Sequence, residues 1–377
     1  MTCLLPAPVL SKRLSQLQEG LRRLRVDCAM IRTLSDFKYL MGFKWLRPAL
    51  LIPADEAPTA FVARGEEDFF NDRSALKEVN VITYTDGGDL MGKVSSTIRT
   101  LGAKRVGMVF SVERDSFTLF YEMFKKANRD VEVVDINPIL SELRVVKDDY
   151  EIELIRKAGE ISARVLEKTL AMVTENLPET SIAAEAYYEA YRAGSEEPHI
   201  YVNVGPHPRV HAEPMSDVVA RKGVLVTVVV ASDYNGYYAN TSATTFIGDS
   251  PPEVVGRSFR CVREVYLRAC ELTSPGRRFI DVIRHIDELF VKHGLVENRL
   301  TEYTHGVGLQ PEEYPVVTIV PAHRALEVRE RMVLAFVHTP LMLKGFGTMK
   351  FEDTHVVWRD RLERVTRAHR LLEFFKD

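Results

Sequence analysis

The chain has 377 residues. A domain with a single hydrophobic core rarely exceeds about 250–300 residues, so we expect two domains. Hydrophobic residues make up 46% of the sequence and charged residues 27%, a composition typical of soluble globular proteins. The formal net charge of -3 gives no electrostatic basis for binding nucleic acid or an anionic membrane, and we expect neither partner.

The sequence shows no sign of a targeting segment or a membrane span. No apolar run approaches the ~20 residues needed to cross a bilayer, and the first residues lack a basic segment followed by an apolar one. The cysteines (Cys3, Cys28, Cys261 and Cys270) lack metal-type spacing and are typical of reduced thiols, so we expect a cytoplasmic protein. Gln is rare while Arg and Glu are abundant, which is typical of thermophile proteins.

Short apolar segments alternate with helical segments along the first 140 residues. Strands are predicted at 28–31, 49–52, 59–62, 79–84, 105–110 and 131–134, and helices at 11–27, 66–77, 88–102 and 115–127. This alternation predicts an α/β domain with a mixed sheet over residues 1–140.

A second domain is predicted from 141 to 377. It opens with a long helix for which Asp149 is the expected N-cap, and a second helix is predicted at 180–193. The β-branched run 224–230 predicts a buried strand, and Asn235-Gly236 predicts a hairpin turn into a strand at 237–247. Helices at 252–273 and 279–293 and strands at 315–320, 332–337 and 347–358 complete the domain.

Several short motifs follow one another in a characteristic order. They are Glu142–Lys147 with Glu151–Ala158, Gly205-Pro206 before His211, Tyr234–Tyr237, His305–Leu309 and Phe351–Thr354, preceded in the first domain by Tyr39–Phe43 and Arg47–Leu51. Over nearly its whole length the sequence thus resembles the Xaa-Pro peptidase/creatinase superfamily, which includes prolidases and aminopeptidases P. The resemblance implies an α/β (α+β) protein, in which a creatinase-type N-terminal α/β domain precedes a pita-bread domain, and it implies a homodimer.

The resemblance also assigns the positions that bind metal. Peptidases of the superfamily hold two divalent cations with two Asp, one His and two Glu, since paired cations need several carboxylates to offset their charge. The matching positions here are Val229, Asn240, His305, Val337 (Thr339 if Pro340 is aligned instead) and Glu352. We therefore expect a degenerate metal site and no metal cofactor. A single weakly bound ion, or a site rebuilt with Asp233, Glu312, Glu313 or His338, remains an alternative.

The remaining site residues are also assigned by resemblance. His211, His305 and Glu352 would be catalytic, as in creatinase, which acts without metal and uses its loop His as general acid and base. Asn240, Glu312 and Arg47 would contact the ligand. A buried Glu352 needs a partner, for which we expect His305 or a cationic group of the ligand.

Three functions follow from these assignments. The first is a pseudo-peptidase that binds a peptide or small molecule in the old cleft, as the N-terminal domain of the large FACT histone-chaperone subunit keeps the pita-bread fold without peptidase activity. The second is a metal-independent, creatinase-like amidino- or amidohydrolase using His211, so an active enzyme would be a C–N bond hydrolase rather than a dinuclear metallopeptidase. The third is a degenerate Xaa-Pro dipeptidase with residual metal-dependent activity.

Overall fold

The computed structural model describes residues 5–111, 113, 116–210, 212–300, 303–336 and 339–367. The chain divides into two compact units, Met1–Arg144 and Val145–Asp377. The boundary expected between residues 140 and 141 falls within the helix Asn137–Val145.

The first unit is built around a mixed sheet. Its helices are α1 (Ala7–Leu24), α2 (Leu34–Met41), α3 (Glu67–Arg73), α4 (Gly87–Thr100), α5 (Ser116–Ala127) and α6 (Asn137–Val145). Its strands are β1 (Cys28–Ile31), β2 (Leu50–Pro53), β3 (Thr59–Ala63), β4 (Asn80–Tyr84), β5 (Arg105–Met108) and β6 (Glu132–Asp135). The strands lie in the order β4-β3-β2-β1-β5-β6, in which β2 is antiparallel to both neighbours and the other pairs are parallel.

Three helices of this unit differ from the prediction. α1 begins at Ala7 rather than at residue 11, and it ends before Arg25, which adopts the left-handed conformation (φ 55°). Helix α2 was not predicted because its residues from Ser35 to Met41 are all buried, so it lacks the polar face that marks an amphipathic helix. Helix α6 was also missed.

The second unit combines two helix pairs with a largely antiparallel sheet. Its helices are α7 (Asp149–Met172), α8 (Glu179–Arg192), α9 (Glu253–Leu272) and α10 (Phe279–Lys292), with short 3-10 helices at Val296–Asn298 and Pro321–Ala325. Its strands are β7 (His199–Val204), β8 (Leu225–Tyr234), β9 (Tyr237–Phe246), β10 (Thr304–Gly306), β11 (Glu313–Val316), β12 (Val333–Phe336), β13 (Leu341–Leu343), β14 (Gly347–Met349), β15 (Glu352–Val357) and β16 (Leu362–Arg364).

The main sheet of the second unit brings sequence-distant strands together. Among the described residues its strand order is β11-β10-β12-β15-β9-β8-β7, with β16 paired to β15, while β13 and β14 form a separate hairpin. Helix α7 packs against β8 and β9, and the buried side chains of helices and sheet form one hydrophobic core. Each adjacent pair in the main sheet is antiparallel, so directly opposed residues present their side chains on the same face.

Three predicted features of this unit need correction. Asp148, rather than Asp149, caps α7: its carboxylate accepts the Glu151 N–H, and the Glu151 carboxylate accepts the Asp148 N–H. The strand predicted at 315–320 is β11, which ends at Val316 and is followed by a turn. The strand predicted at 347–358 is divided into β14 and β15, between which Lys350 and Phe351 lie.

Among the described residues, no helix has the combination of length and apolar character that a membrane-spanning segment requires.

Candidate functional site

The hairpin of β8 and β9 sets the register of the candidate site. Asn235 and Gly236 form its turn with positive φ values of 49° and 78°, which confirms the predicted turn. In this register Val229 lies opposite Ser242, and Ala231 lies opposite Asn240. Val229, Asn240 and Ser242 therefore share one face of the sheet.

Strands β15 and β10 add Glu352 and His305 to the same face. Glu352 lies opposite Ser242, and Thr354, two residues further along β15, exchanges hydrogen bonds with the backbone of Asn240. Strand β12 pairs Ala335 with Thr354 on one side and with His305 on the other. The fold thus brings four of the five predicted metal-ligand positions together. The fifth, Val337, lies outside the described residues.

His305 and Glu352 are buried and face each other. The imidazole Nε2 of His305 lies 3.5 Å from Oε1 of Glu352, with 1% of each side chain exposed, and the ring Nδ1 lies 3.0 Å from the Gly306 carbonyl oxygen. Burial lowers the pKa of His305, but the hydrogen bond to Glu352, the negative charges of Glu312 and Glu352 and the Gly306 carbonyl outweigh it. The pKa of His305 is raised overall. Of the two partners expected for Glu352, His305 is therefore in contact with it.

A second partner of Glu352 was missed by sequence reasoning. The ammonium of Lys350 lies 2.7 Å from Oε2 of Glu352, and 1% of each side chain is exposed. The Lys350 backbone pairs with the Thr244 hydroxyl, which accepts its N–H (2.9 Å) and donates to its carbonyl (3.0 Å). Residues two apart in an extended segment point the same way, so the spacing of Lys350 and Glu352 was the signal that could have predicted this pair.

Several buried polar atoms on the face have no hydrogen-bond partner among the described residues. The amide nitrogen of Asn240 donates to the Pro311 carbonyl (2.8 Å), whereas its Oδ1 accepts nothing. The Ser242 hydroxyl and Oδ1 of Asn203, on β7, are likewise unpartnered within the described structure. These residues are 0–6% exposed, so their polar atoms are withdrawn from bulk water.

The turn after His305 is closely packed against β11. A Cβ at Gly306 would lie 2.5 Å from the Tyr314 carbonyl oxygen, and a Cβ at Gly308 would clash with the Glu313 carboxylate. The Glu313 carboxylate accepts the Leu309 N–H (3.2 Å) and pairs with the buried ammonium of Lys147 (2.8 Å). Glu313 therefore supports this turn.

Two of the other predicted site residues have surroundings that do not involve Glu352. Glu312 is exposed and accepts a hydrogen bond from the Thr318 hydroxyl (2.9 Å), although its charge acts on His305. Arg47 belongs to the first unit and is exposed. His211 and the alternative ligand His338 lie outside the described residues, and the contacts of both Glu312 and Arg47 with a ligand remain predictions.

Asp233, considered as a replacement metal ligand, is engaged in the hairpin instead. Its Oδ1 accepts the hydroxyl of Ser195 (2.8 Å) and the backbone N–H groups of Glu196 (2.9 Å) and Glu197 (2.7 Å), and its Oδ2 accepts the Gly236 N–H (3.0 Å). Within the part of the chain that the structure describes, no three His, Cys, Asp or Glu side chains are grouped as metal ligands would be.

Two family models match the sequence. Residues 153–359 match the model of metallopeptidase family M24, and residues 13–146 match the Creatinase/Prolidase N-terminal domain.

Individual relatives resemble the chain over most of its length. A Xaa-Pro dipeptidase of Pyrococcus furiosus is 24% identical over 365 residues, which cover 96% of this chain and 100% of the relative. A probable dipeptidase PepE of Mycobacterium tuberculosis is 28% identical over 290 residues, 75% of each chain. The crystal structure of the prolidase from Pyrococcus horikoshii superposes with a TM-score of 0.84 at 22% identity, covering 95% of this chain and 99% of that chain.

Proposed function

The chain belongs to metallopeptidase family M24, and from that premise we propose that its second domain binds a peptide or small-molecule ligand without hydrolysing it through paired metal ions. The predicted superfamily and the predicted fold, a creatinase-type N-terminal domain followed by a pita-bread domain, are confirmed.

The proposal is carried by the donor atoms on the sheet face of Val229, Asn240, His305 and Glu352. Two divalent cations need several carboxylates to offset their charge. Val229 offers no donor atom, and Asn240 offers a neutral amide oxygen. Glu352 is thus the one carboxylate among the four described positions. These residues do not fit a dinuclear metal centre.

The buried polar atoms of the face support ligand binding. Oδ1 of Asn203, Oδ1 of Asn240 and the hydroxyl of Ser242 have no hydrogen-bond partner among the described residues, and burying such groups unpaired costs about 1–3 kcal/mol each. A ligand that presents N–H or O–H groups would satisfy the two amide oxygens. Peptides carry such donors along their backbone, and ordered water would satisfy the same atoms between binding events.

A metal-independent hydrolase is the second candidate, because the imidazole of His305 lies 3.5 Å from the carboxylate of Glu352, and both side chains are buried. The carboxylate stabilises the imidazolium, and a positioned histidine of raised pKa donates and accepts protons near neutral pH. In this reading His211 would transfer the proton and Glu352 would hold a cationic substrate group. The cytoplasmic location, the thermophilic source and the homodimer also remain proposals.

Metal analysis combined with ligand titration tests the proposal. Purified protein is analysed for Mn, Co, Zn and Fe, and then incubated with Xaa-Pro dipeptides with added metal or with chelator. We expect less than stoichiometric metal, no hydrolysis, and a rise in melting temperature with the dipeptides or with longer peptides. Stoichiometric metal with dipeptide hydrolysis would refute the proposal, and hydrolysis of guanidino or amide substrates in chelator would favour the second candidate.

A matched pair of variants locates the binding. Asn240→Leu removes the unpartnered amide oxygen and should abolish the peptide-induced rise in melting temperature. Asp249→Ala alters a carboxylate whose side chain is 91% exposed and should leave that rise unchanged. Equal responses of the two variants would place the ligand elsewhere.

A further inference from the structure

A small surface cleft of the first unit lies where two neighbouring parallel strands end. From β1 the chain continues to β2 on one side of it, whereas β5 lies on its other side. In open α/β sheets, ligands bind outside the carboxyl ends of the strands at such a change of direction. Arg32 directly follows β1, Ser111 comes shortly after β5, and both line the cleft. The cleft therefore has the position at which sheets of this kind bind small molecules.

Arg32 brings a positive charge to this cleft without a carboxylate to balance it. The half-buried guanidinium donates to the Pro48 carbonyl (2.6 Å) and lies over the Phe120 ring, 4.4 Å from its centroid. Its Nε is buried without a hydrogen-bond partner, and within the described part of the chain no carboxylate forms an ion pair with it. Burial lowers the pKa of Arg32, and Tyr84 offsets this only in part. Since a charge withdrawn from water is unfavourable without a counter-ion, this guanidinium would be stabilised by an anion.

The carboxylates near the cleft are engaged with other groups. Glu113 lines the cleft, but its carboxylate accepts two backbone N–H groups at the start of α2 and the hydroxyl of Ser35 (2.5 Å). The Asp36 carboxylate pairs with the guanidinium of Arg144 at 2.8 Å. Neither carboxylate is among the charges that act on the pKa of Arg32. A counter-ion for Arg32 therefore has to come from outside the described part of the chain.

We propose that Arg32 is the centre of a small-oxyanion site in the first domain, at which a carboxylate or phosphate group binds. Guanidinium groups are well suited to both kinds of oxyanion, and Arg47 and the Ser111 hydroxyl line the cleft as further donors. Leu46 and Phe117 form apolar walls, so the cleft accepts the charged group and little more of a ligand. The site lies within the first unit and does not depend on the function proposed for the second domain.

Melting curves of the full chain test the site. In a Trp358→Phe parent the remaining tryptophan is Trp45, next to the cleft residue Leu46, and its fluorescence follows the first unit. Phosphate and acetate are added in separate series, with the ionic strength held constant by sodium chloride. At about 100 times its Kd, an oxyanion that binds should raise the melting temperature by about 5–10 °C. The series that produces the rise identifies the oxyanion group.

Arg32→Met in this parent separates a binding role from a structural one. The variant keeps a long side chain and loses the unbalanced charge, so without oxyanion it should melt at or above the parent temperature. It should also lose the rise with oxyanion. Arg99→Met removes an exposed arginine from the last turn of α4 and is the matched control, which should keep the full rise. General effects of phosphate on protein stability act on both variants alike.

Three results would overturn the proposal. They are the absence of a rise with either oxyanion, equal rises in Arg32→Met and Arg99→Met, and a melting temperature of Arg32→Met far below that of the parent without oxyanion. The last result would show that Arg32 stabilises the domain through its contacts with Pro48 and Phe120. A parent melting temperature that rises with protein concentration, but not with oxyanion, would assign the counter-charge to a second copy of the chain and refute the site as well.

Discussion

The carboxylate of Asp233 should be among the side chains on which the second domain depends most. It is fully buried beside the β8–β9 turn and accepts four hydrogen bonds, three of them from backbone N–H groups. Asp233→Ala leaves these donors without an acceptor, at about 1–3 kcal/mol for each buried one. The N–H groups of Glu196 and Glu197 are partly accessible to water, so we expect a total loss of about 3–5 kcal/mol.

The assay is urea unfolding at pH 7, followed by tryptophan fluorescence. The sequence contains two tryptophans, Trp45 and Trp358, one in each unit, so a Trp45→Phe background reports on the second domain alone. Asp233→Asn keeps one acceptor oxygen and should lose less than Asp233→Ala. Asp249→Ala should remain within about 0.5 kcal/mol of the parent.

A loss below about 1 kcal/mol for Asp233→Ala would refute this reasoning. It would mean that water replaces the carboxylate at the turn, and that the buried hydrogen bonds contribute little to the hairpin. Asp233 would then again be available as a replacement metal ligand.

Three further predictions concern the same domain. Gly306→Ala places a Cβ 2.5 Å from the Tyr314 carbonyl oxygen and should cost about 1–3 kcal/mol in urea unfolding. Gly256→Ala on helix α9, where the Cβ makes an ordinary contact with the Arg260 side chain at 3.6 Å, should be neutral or stabilising. Burial lowers the pKa of His355 to about 3, so below pH 6.5 the unfolded state binds a proton that the folded state refuses. The free energy of unfolding should therefore decrease as the pH is lowered. Between pH 7 and pH 5, His355→Phe should lose about 2 kcal/mol less of it than the wild type, and equal losses would contradict this. Asp148→Ala removes the α7 cap and should cost about 1 kcal/mol by thermal melting, more than Asp149→Ala.

The features that sequence predicted well depend on local chemistry. Asn235 and Gly236 tolerate positive φ, and the β-branched run before them can only be a buried strand, so the hairpin of the candidate site was predicted correctly. The turn also sets the register of β8 and β9, in which Val229 and Asn240 share a face because a strand has a side-chain period of two.

The features that were missed depend on contacts between distant segments. Whether Asp148 or Asp149 caps α7 is decided by the path of the chain entering the helix, and both are acceptable caps in sequence. The ion pair of Lys350 with Glu352 was not predicted, although the spacing of the two residues allows it, and its geometry depends on Thr244 on β9, which bonds to the Lys350 backbone. The burial of Asp233 was missed because its hydrogen-bond donors include Ser195, which lies 38 residues away.

Strand β15 carries adjacent acidic residues that meet different surroundings on its two sides. Glu352 faces Lys350 and His305, whereas Asp353 accepts the Thr366 hydroxyl (2.6 Å) and lies 3.5 Å from the guanidinium of Arg364. A slip of one residue during folding would turn both carboxylates away from their cations at once. A shifted register of this strand therefore loses both ion pairs, so the two carboxylates stabilise the native register at the centre of the sheet.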